Sequence, residues 1–329
     1  MKKKTQYALL ISFFAVAALL LLEYSIPSFS LVIERFFGAP VRSRLSAVSS
    51  YFSFSLAEWL LLLLPIVLVL FLLFALRAAK SAKATSRLVG ALLSFLLAFF
   101  AVYTLVFAPG QHRPPLADSL SLPDKAPTAD EVLICVDWLS SLADANASYP
   151  GDAAAEARLR TALAEAGKTY GFSANTAVSV KKNATPLFSR LGYFGLYAFP
   201  LGEITLTSAC PDATRTFTLA HEMAHASGFS RETDADVMAF LACLDSGDAY
   251  LVGAAATGML GRVLCTLYEH SPALWERASG RMPDAARQEL SDAGEVYERG
   301  TADALAPIAE DYGEVLRLLC AICRARAIT

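Results

Sequence analysis

Acidic side chains are nearly missing from the first third of this chain. Glu23, Glu34 and Glu58 are the only ones up to Pro109, against ten Lys and Arg. Long stretches of that third hold no charge at all, which excludes an ordinary soluble surface there. Histidine is scarcer still, with four residues in 329, so chemistry that needs imidazole has few places to sit. Beyond Pro109 the balance reverses to eighteen basic and twenty-eight acidic residues, a charge of −10 against +7 before it and −3 in total. An acidic remainder of this kind lacks the electrostatic footprint of a nucleic-acid binder. The basic start Met1-Lys2-Lys3-Lys4 and the apolar run after it lack a small-x-small cleavage site, which favours a retained anchor over a removed signal peptide.

What the first third does contain is length and apolarity. Hydrophobic residues make up 55% of the chain and the mean hydropathy is +0.44, and the excess lies before Pro109. Tyr7 to Leu22, Leu56 to Ala75 and Leu88 to Phe107 are nearly uncharged runs of spanning length, and a buried soluble helix seldom stays apolar on every face for so long. Three transmembrane helices are therefore expected within residues 1–109, making the lipid bilayer the first partner. Lys2, Lys3 and Lys4 precede the first run, and Arg77, Lys80, Lys83 and Arg87 crowd the link between the second and third. Basic flanks stay on the cytoplasmic side, so the rest of the chain is expected outside the cell membrane. Arg35, Arg42 and Arg44 in the first outer loop are the argument for the reverse orientation. Residues 110–127, rich in proline and polar side chains, read as a tether, and residues 128–329 are enough for one compact domain.

Within that domain the most specific signal is His221-Glu222-Met223-Ala224-His225. Histidines at i and i+4 project from one helix face at a separation that lets both rings reach one tetrahedral metal. Glu222 then stands beside the open position, where it can take a proton from water. Thr214 to Leu219 continues the helix backwards, and Gly228 reads as its C-terminal stop. A third ligand is expected from Glu232, Asp234 or Asp236. Asp234 shares a face with Val237, Met238 and Leu241, while Glu232 and Asp236 lie roughly 200° away around the helix in either direction. A carboxylate on a buried stripe is costly unless something pairs with it, which makes Asp234 the expected ligand and Glu232, with its longer reach, the runner-up. Glu232 or Asp236 could also fix a histidine tautomer.

Upstream, Thr128 to Ala145 and Gly151 to Ala166 read as amphipathic helices. Thr176 to Lys182 and Tyr193 to Leu206 read as strands. Gly202 to Leu206 is the expected sheet edge, since Pro200 and the glycines suit an edge and an edge can take an extended peptide through backbone hydrogen bonds. Six cysteines, all beyond Pro109, permit disulfides without fixing any. The pair Cys320 and Cys323 lies in an apolar helical setting that favours buried thiols. Tyr312, Tyr268 and His270 are candidate oxyanion donors.

Ala220 to Phe229, followed by Arg231 to Asp236 and Phe240-Leu241-Ala242, resembles the bacterial membrane-protein family called domain of unknown function 3810, itself regarded as related to zinc metallopeptidases of the gluzincin type. Val32 to Phe37, Phe54-Ser55-Leu56 and Asp311 to Val315 resemble further segments of it. The family's second helix carries Glu-Ala-Asn where this chain has Asp234-Ala235-Asp236, and the resemblance makes that glutamate the third ligand. The aspartate, one methylene shorter, would draw the helix closer to the metal.

The expectation is a helical membrane region of three spans followed by an α+β zincin-like domain, mostly helical with a small sheet before the metal helix. Its function would be peptide hydrolysis on Zn2+ held by His221, His225 and Asp234, with Glu222 as general base and a peptide or protein as substrate. The alternative is an envelope scaffold or sensor in which the metal only ties two helices together.

Overall fold

The computed structural model describes residues 3–123, 125–143, 147–298 and 312–327. The Asp311 and Tyr312 side chains, the latter a candidate oxyanion donor, lie outside what is described. Three long apolar helices, α1 (Lys3–Ser25), α4 (Leu56–Ala78) and α5 (Ala82–Val106), hold 23, 23 and 25 residues. At 1.5 Å per residue each is about 35 Å long or more, enough for a hydrocarbon core of about 30 Å. A fourth helix, α13 (Ala249–His270), also has the length and apolarity of a span. The four differ in what covers them. The most apolar window of α13 is 72% buried inside the protein, against 6%, 0% and 17% for α1, α4 and α5. The apolarity of α13 is used up by protein neighbours, whereas that of the other three faces outward, as membrane association requires.

Between α1 and α4 the chain does not loop freely. It forms α2 (Pro27–Ile33), a π-helical turn at Glu34–Gly38 and α3 (Ala39–Ser49). After α5 come two short helices, α6 (Ala108–His112) and α7 (Leu116–Ser119). The expected tether is thus packed structure over much of its length. Leu116 is buried, Gln111 Nε2 donates to the Ser230 carbonyl at 2.7 Å, and the Arg113 guanidinium lies 4.2 Å over the Phe229 ring. Its prolines set the turns and its apolar residues do the packing.

The rest of the chain is mainly helical: α8 (Ala129–Ala143), α9 (Asp152–Tyr170), α10 (Leu187–Arg190), α11 (Asp212–Ala226), α12 (Glu232–Asp245), α13, α14 (Pro272–Ser279), α15 (Asp284–Glu298) and α16 (Tyr312–Ala327). Helix α13 is the axle of the core and packs against α8, α11, α12 and α16. Gly258 permits its closest approach to α11, because a Cβ there would sit 2.1 Å from Phe217 Cδ1. Cys135, Cys243, Cys320 and Cys323 are buried, and all six cysteines are free thiols.

A three-stranded sheet with order β1-β3-β2 is built from β1 (Ser179–Lys182), β2 (Gly195–Ala198) and β3 (Glu203–Leu206). The strand expected at the edge, β3, is central: it pairs parallel with β1 on one side and antiparallel with β2 on the other. Pro200 and Gly202 mark the β2–β3 turn, not an edge.

The sheet is closed off at one end by the end of α3 and the start of α4. Lys181 and Glu203, both buried, meet at 2.6 Å. Ser49 Oγ donates to Glu203 Oε2 at 2.7 Å, and the Ala57 N–H donates to Glu203 Oε1 at 2.8 Å. The Ala184 and Thr185 N–H groups donate to the buried Glu58 carboxylate, each at 2.7 Å. Removing one partner of such a pair strands a buried charge, which costs about 3–5 kcal/mol, whereas replacing both with apolar groups is often near neutral. Glu203→Ala in the full-length protein should therefore lower stability by about that amount. The Lys181→Met/Glu203→Leu double variant should lose less than Glu203→Ala alone, as measured by denaturation in detergent.

Candidate metal centre

Helix α11 begins after Pro211, has Asp212 in its first turn and stops at Ala226. Gly228 just beyond it takes a left-handed φ of +98°, the conformation expected of a glycine helix stop. One helical turn separates His221 and His225, and their Nε2 atoms lie 3.0 Å apart. Glu232, the first residue of α12, reaches both: Oε2 is 3.1 Å from His221 Nε2 and Oε1 is 3.5 Å from His225 Nε2. Among the described residues these three side chains form the one group of His, Cys, Asp and Glu able to hold a metal ion together.

The donor set fits an ion of zinc's preference. Three donors each about 2.0–2.1 Å from a tetrahedral centre stand about 3.4 Å from one another, close to the observed 3.0 to 3.5 Å. The rings are also held correctly from behind. His221 Nδ1 donates to Asp236 Oδ1 at 2.8 Å, and His225 Nδ1 donates to the Phe229 carbonyl at 2.6 Å. Both partners are acceptors, so each Nδ1 carries a proton, and Nε2 on the Glu232 side is the nitrogen left to bind an ion. Asp236 is fixed in turn by Arg262 Nε at 3.0 Å.

Asp234, expected as the third ligand, does not join the group. Its side chain is buried, as the helical wheel requires, but Arg231 Nε donates to its Oδ2 at 2.9 Å. The Leu116 backbone N–H and the charge of Arg113 act on it as well. Burial still raises its pKa, with Arg231, Arg113 and the Leu116 amide opposing, so its partners are these groups and not the imidazoles. Glu232 is the residue aimed at the imidazoles, with the longer side chain and a place at the helix N-terminus.

Charge in the site follows from burial and pairing. Burial opposes protonation of His221, but the neighbouring Asp236 and Glu232 carboxylates outweigh it and raise its pKa to about 10. Burial would also raise Glu232, but its hydrogen bonds to both imidazoles win and hold it well below the usual carboxylate range. In Asp236 the charges of Arg262 and His221 overcome burial and bring the pKa down to about 2. Glu222 goes the other way: burial raises its pKa, with the two imidazoles only partly opposing.

Glu222 lies between the metal helix and the sheet. The Tyr197 N–H donates to its Oε2 at 2.7 Å, and a Cβ on Gly195 would come within 3.0 Å of its Cγ. Strand β2 is thus the edge strand beside the site. Thr207 N–H bonds the Phe194 carbonyl, so by antiparallel alternation Leu196 and Ala198 face β3, and the main-chain groups of Gly195 and Tyr197 face outward. Tyr268 packs edge-on against Trp275, and His270 Nδ1 bonds the Thr266 carbonyl of its own helix. Neither observation links these two residues to the group of three.

Sequence reasoning did not single out Arg262 or the Tyr197 amide. Arg262 had a signal, being the only charged residue between Ala249 and Leu267. The amide had none, since any residue supplies one.

Full-length protein purified in detergent should hold about one zinc per chain with three protein ligands. Glu232→Ala should abolish stoichiometric binding, and Asp236→Asn should weaken it about 10–100-fold. Asp234→Asn should leave affinity near wild type. Titration against a chromophoric chelator checks all three, and zinc loss with Asp234→Asn but not Glu232→Ala would reverse the assignment.

No curated protein and no solved structure matches this chain. Residues 35–314 match the family model described as protein of unknown function (DUF3810), and the chain belongs to that family.

Proposed function

We propose that this protein is a membrane-associated zinc metallopeptidase with a zincin-like outer domain. The observation that carries the reading is the convergence of His221, His225 and Glu232 with the buried Glu222 carboxylate fixed alongside by the Tyr197 amide. Zinc, when bound there, would polarise a substrate carbonyl and lower the pKa of a water at its open position toward neutrality. Glu222 accepts the proton from that water and later hands it to the departing amine nitrogen. Burial raises its proton affinity, which suits a group that must take up a proton and hold it through the reaction. The hydrogen bond from Tyr197 leaves its other carboxylate oxygen, Oε1, for this exchange.

Three features support catalysis over a purely structural metal. Among the described residues three side chains converge, whereas a structural site closes with four. A base sits next to them. The outward-facing main chain of β2, at Gly195 and at the Tyr197 carbonyl, runs past that base, where an extended peptide can add to the sheet.

The orientation that follows from the basic flanks Lys2 to Lys4 and Arg77 to Arg87 puts the site outside the cell membrane. A tag at Thr329 should then be accessible to antibody in cells with an intact membrane, and protection of the tag until lysis would reverse the orientation. Glu222→Gln should lower peptide hydrolysis about 10²–10⁴-fold while leaving zinc content unchanged. An equally active Glu222→Gln protein would remove the hydrolytic mechanism.

A further inference from the structure

The metal ligands are fastened directly to the end of a membrane span. Helix α5 ends at Val106, and the next carbonyl, Phe107, accepts from Ser230 Oγ at 2.7 Å. Ser230 follows Phe229, whose carbonyl holds His225, and it precedes Glu232 by two residues. The Arg42 guanidinium donates to the Val106 carbonyl at 2.8 Å and to the Ala226 carbonyl, the last of the metal helix, at 2.9 Å. A Cβ on Gly110 would strike Ser230 Oγ at 2.3 Å, so α6 and the segment entering α12 touch without a gap. Between the span and the ligands there is no spacer that would let the centre stand away from the bilayer.

The edge strand leads to the same place. Phe199 follows β2 directly, and its ring centroid lies 5.0 Å from Phe107, 6.2 Å from Tyr103 and 6.1 Å from Phe99. Those three rings line the last turns of α5. Strand β2 therefore runs from Glu222, beside Gly195, to an aromatic cluster on the membrane span in about four residues, or about 13 Å. Tyr51, Phe54 and Trp59, exposed at the mouth of α4, are of the residue type that seats at the membrane interface.

From this geometry we infer, resting on the peptidase reading, that the substrate is a membrane-anchored polypeptide cut within a few residues of the bilayer surface. An extended segment laid along β2 reaches Glu222 at one end and the lipid interface at the other. A chain emerging from the membrane is delivered to the scissile position already aligned. A soluble peptide must first find the same edge unaided.

The test uses the full-length, zinc-loaded protein reconstituted in phosphatidylcholine vesicles. The probe is a randomised peptide pool in three forms: unanchored, joined to a dipalmitoyl anchor through a Gly-Ser linker of roughly two residues, or joined through one of roughly two dozen. Anchors are placed at either peptide terminus in separate pools, and products are read by mass spectrometry. The two anchored forms share the same surface concentration, so linker length reports the height of the site above the lipid. For a site at the surface, the short linker should be cut about tenfold faster or more than the long one from at least one terminus, with cuts clustered near the anchor. Equal rates at both lengths, a preference for the long linker, or preference for the unanchored pool would overturn the inference while leaving the peptidase standing. If no pool shows cleavage that Glu222→Gln abolishes, the peptidase reading fails and the inference fails with it.

Discussion

One buried guanidinium fixes the relation between the apolar helix α5 and the His221–His225–Glu232 group. Arg42, 1% exposed, lies where two helices end. The last carbonyls of a helix have no partner inside it and carry the negative end of its dipole, and here α5 and α11 share a single cation at that end. Glu34 balances the charge through its pairing with both terminal nitrogens of Arg42. Close approach is part of the arrangement: a Cβ at Gly228 would come within 2.6 Å of Glu34 Oε1. Helix α11 therefore cannot tilt without dragging the end of α5 with it, and the position of His225 is tied to α5 as well as to the helical core.

Three acids on the first turns of α12 show how one local pattern divides into separate tasks. Glu232 faces the imidazoles, Asp234 neutralises Arg231 and takes the Leu116 amide, and Asp236 orients His221 while held by Arg262. The helix dipole favours negative charge at all three positions and so cannot distinguish them. What distinguishes them is which cation, ring or amide each one meets, and those groups come from α7, α11, α13 and Arg231 at the start of α12.

That division explains which parts of the molecule were legible in the sequence. The long apolar helices, the metal helix with its glycine stop and the amphipathic pair α8 and α9 are local patterns whose period carries the information. The wheel also placed Asp234 correctly on a buried stripe. It did not say what meets that carboxylate: Arg231 stands three residues before it, but Leu116 and Arg113 lie more than a hundred residues upstream in a stretch whose prolines read as a tether. Strand order was hidden for a similar reason. Pro200 and Gly202 belong to the β2–β3 turn, and the parallel partner that makes β3 central, β1, is separated from it by α10 and β2.

The carboxylate of Glu203 ties these themes to the way the molecule must be made. Its partners include Ser49 at the end of α3 and Ala57 in the first turn of α4, and Ser55 Oγ just before α4 bonds Thr205 as well. The outer domain is therefore not autonomous. A fragment starting after Pro109 would keep its helical core but lose the groups that close one end of the sheet and cap the metal helix at Ala226. In a chain made from its N-terminus these groups come before the strands they pair with, so they can serve the strands as an intramolecular template.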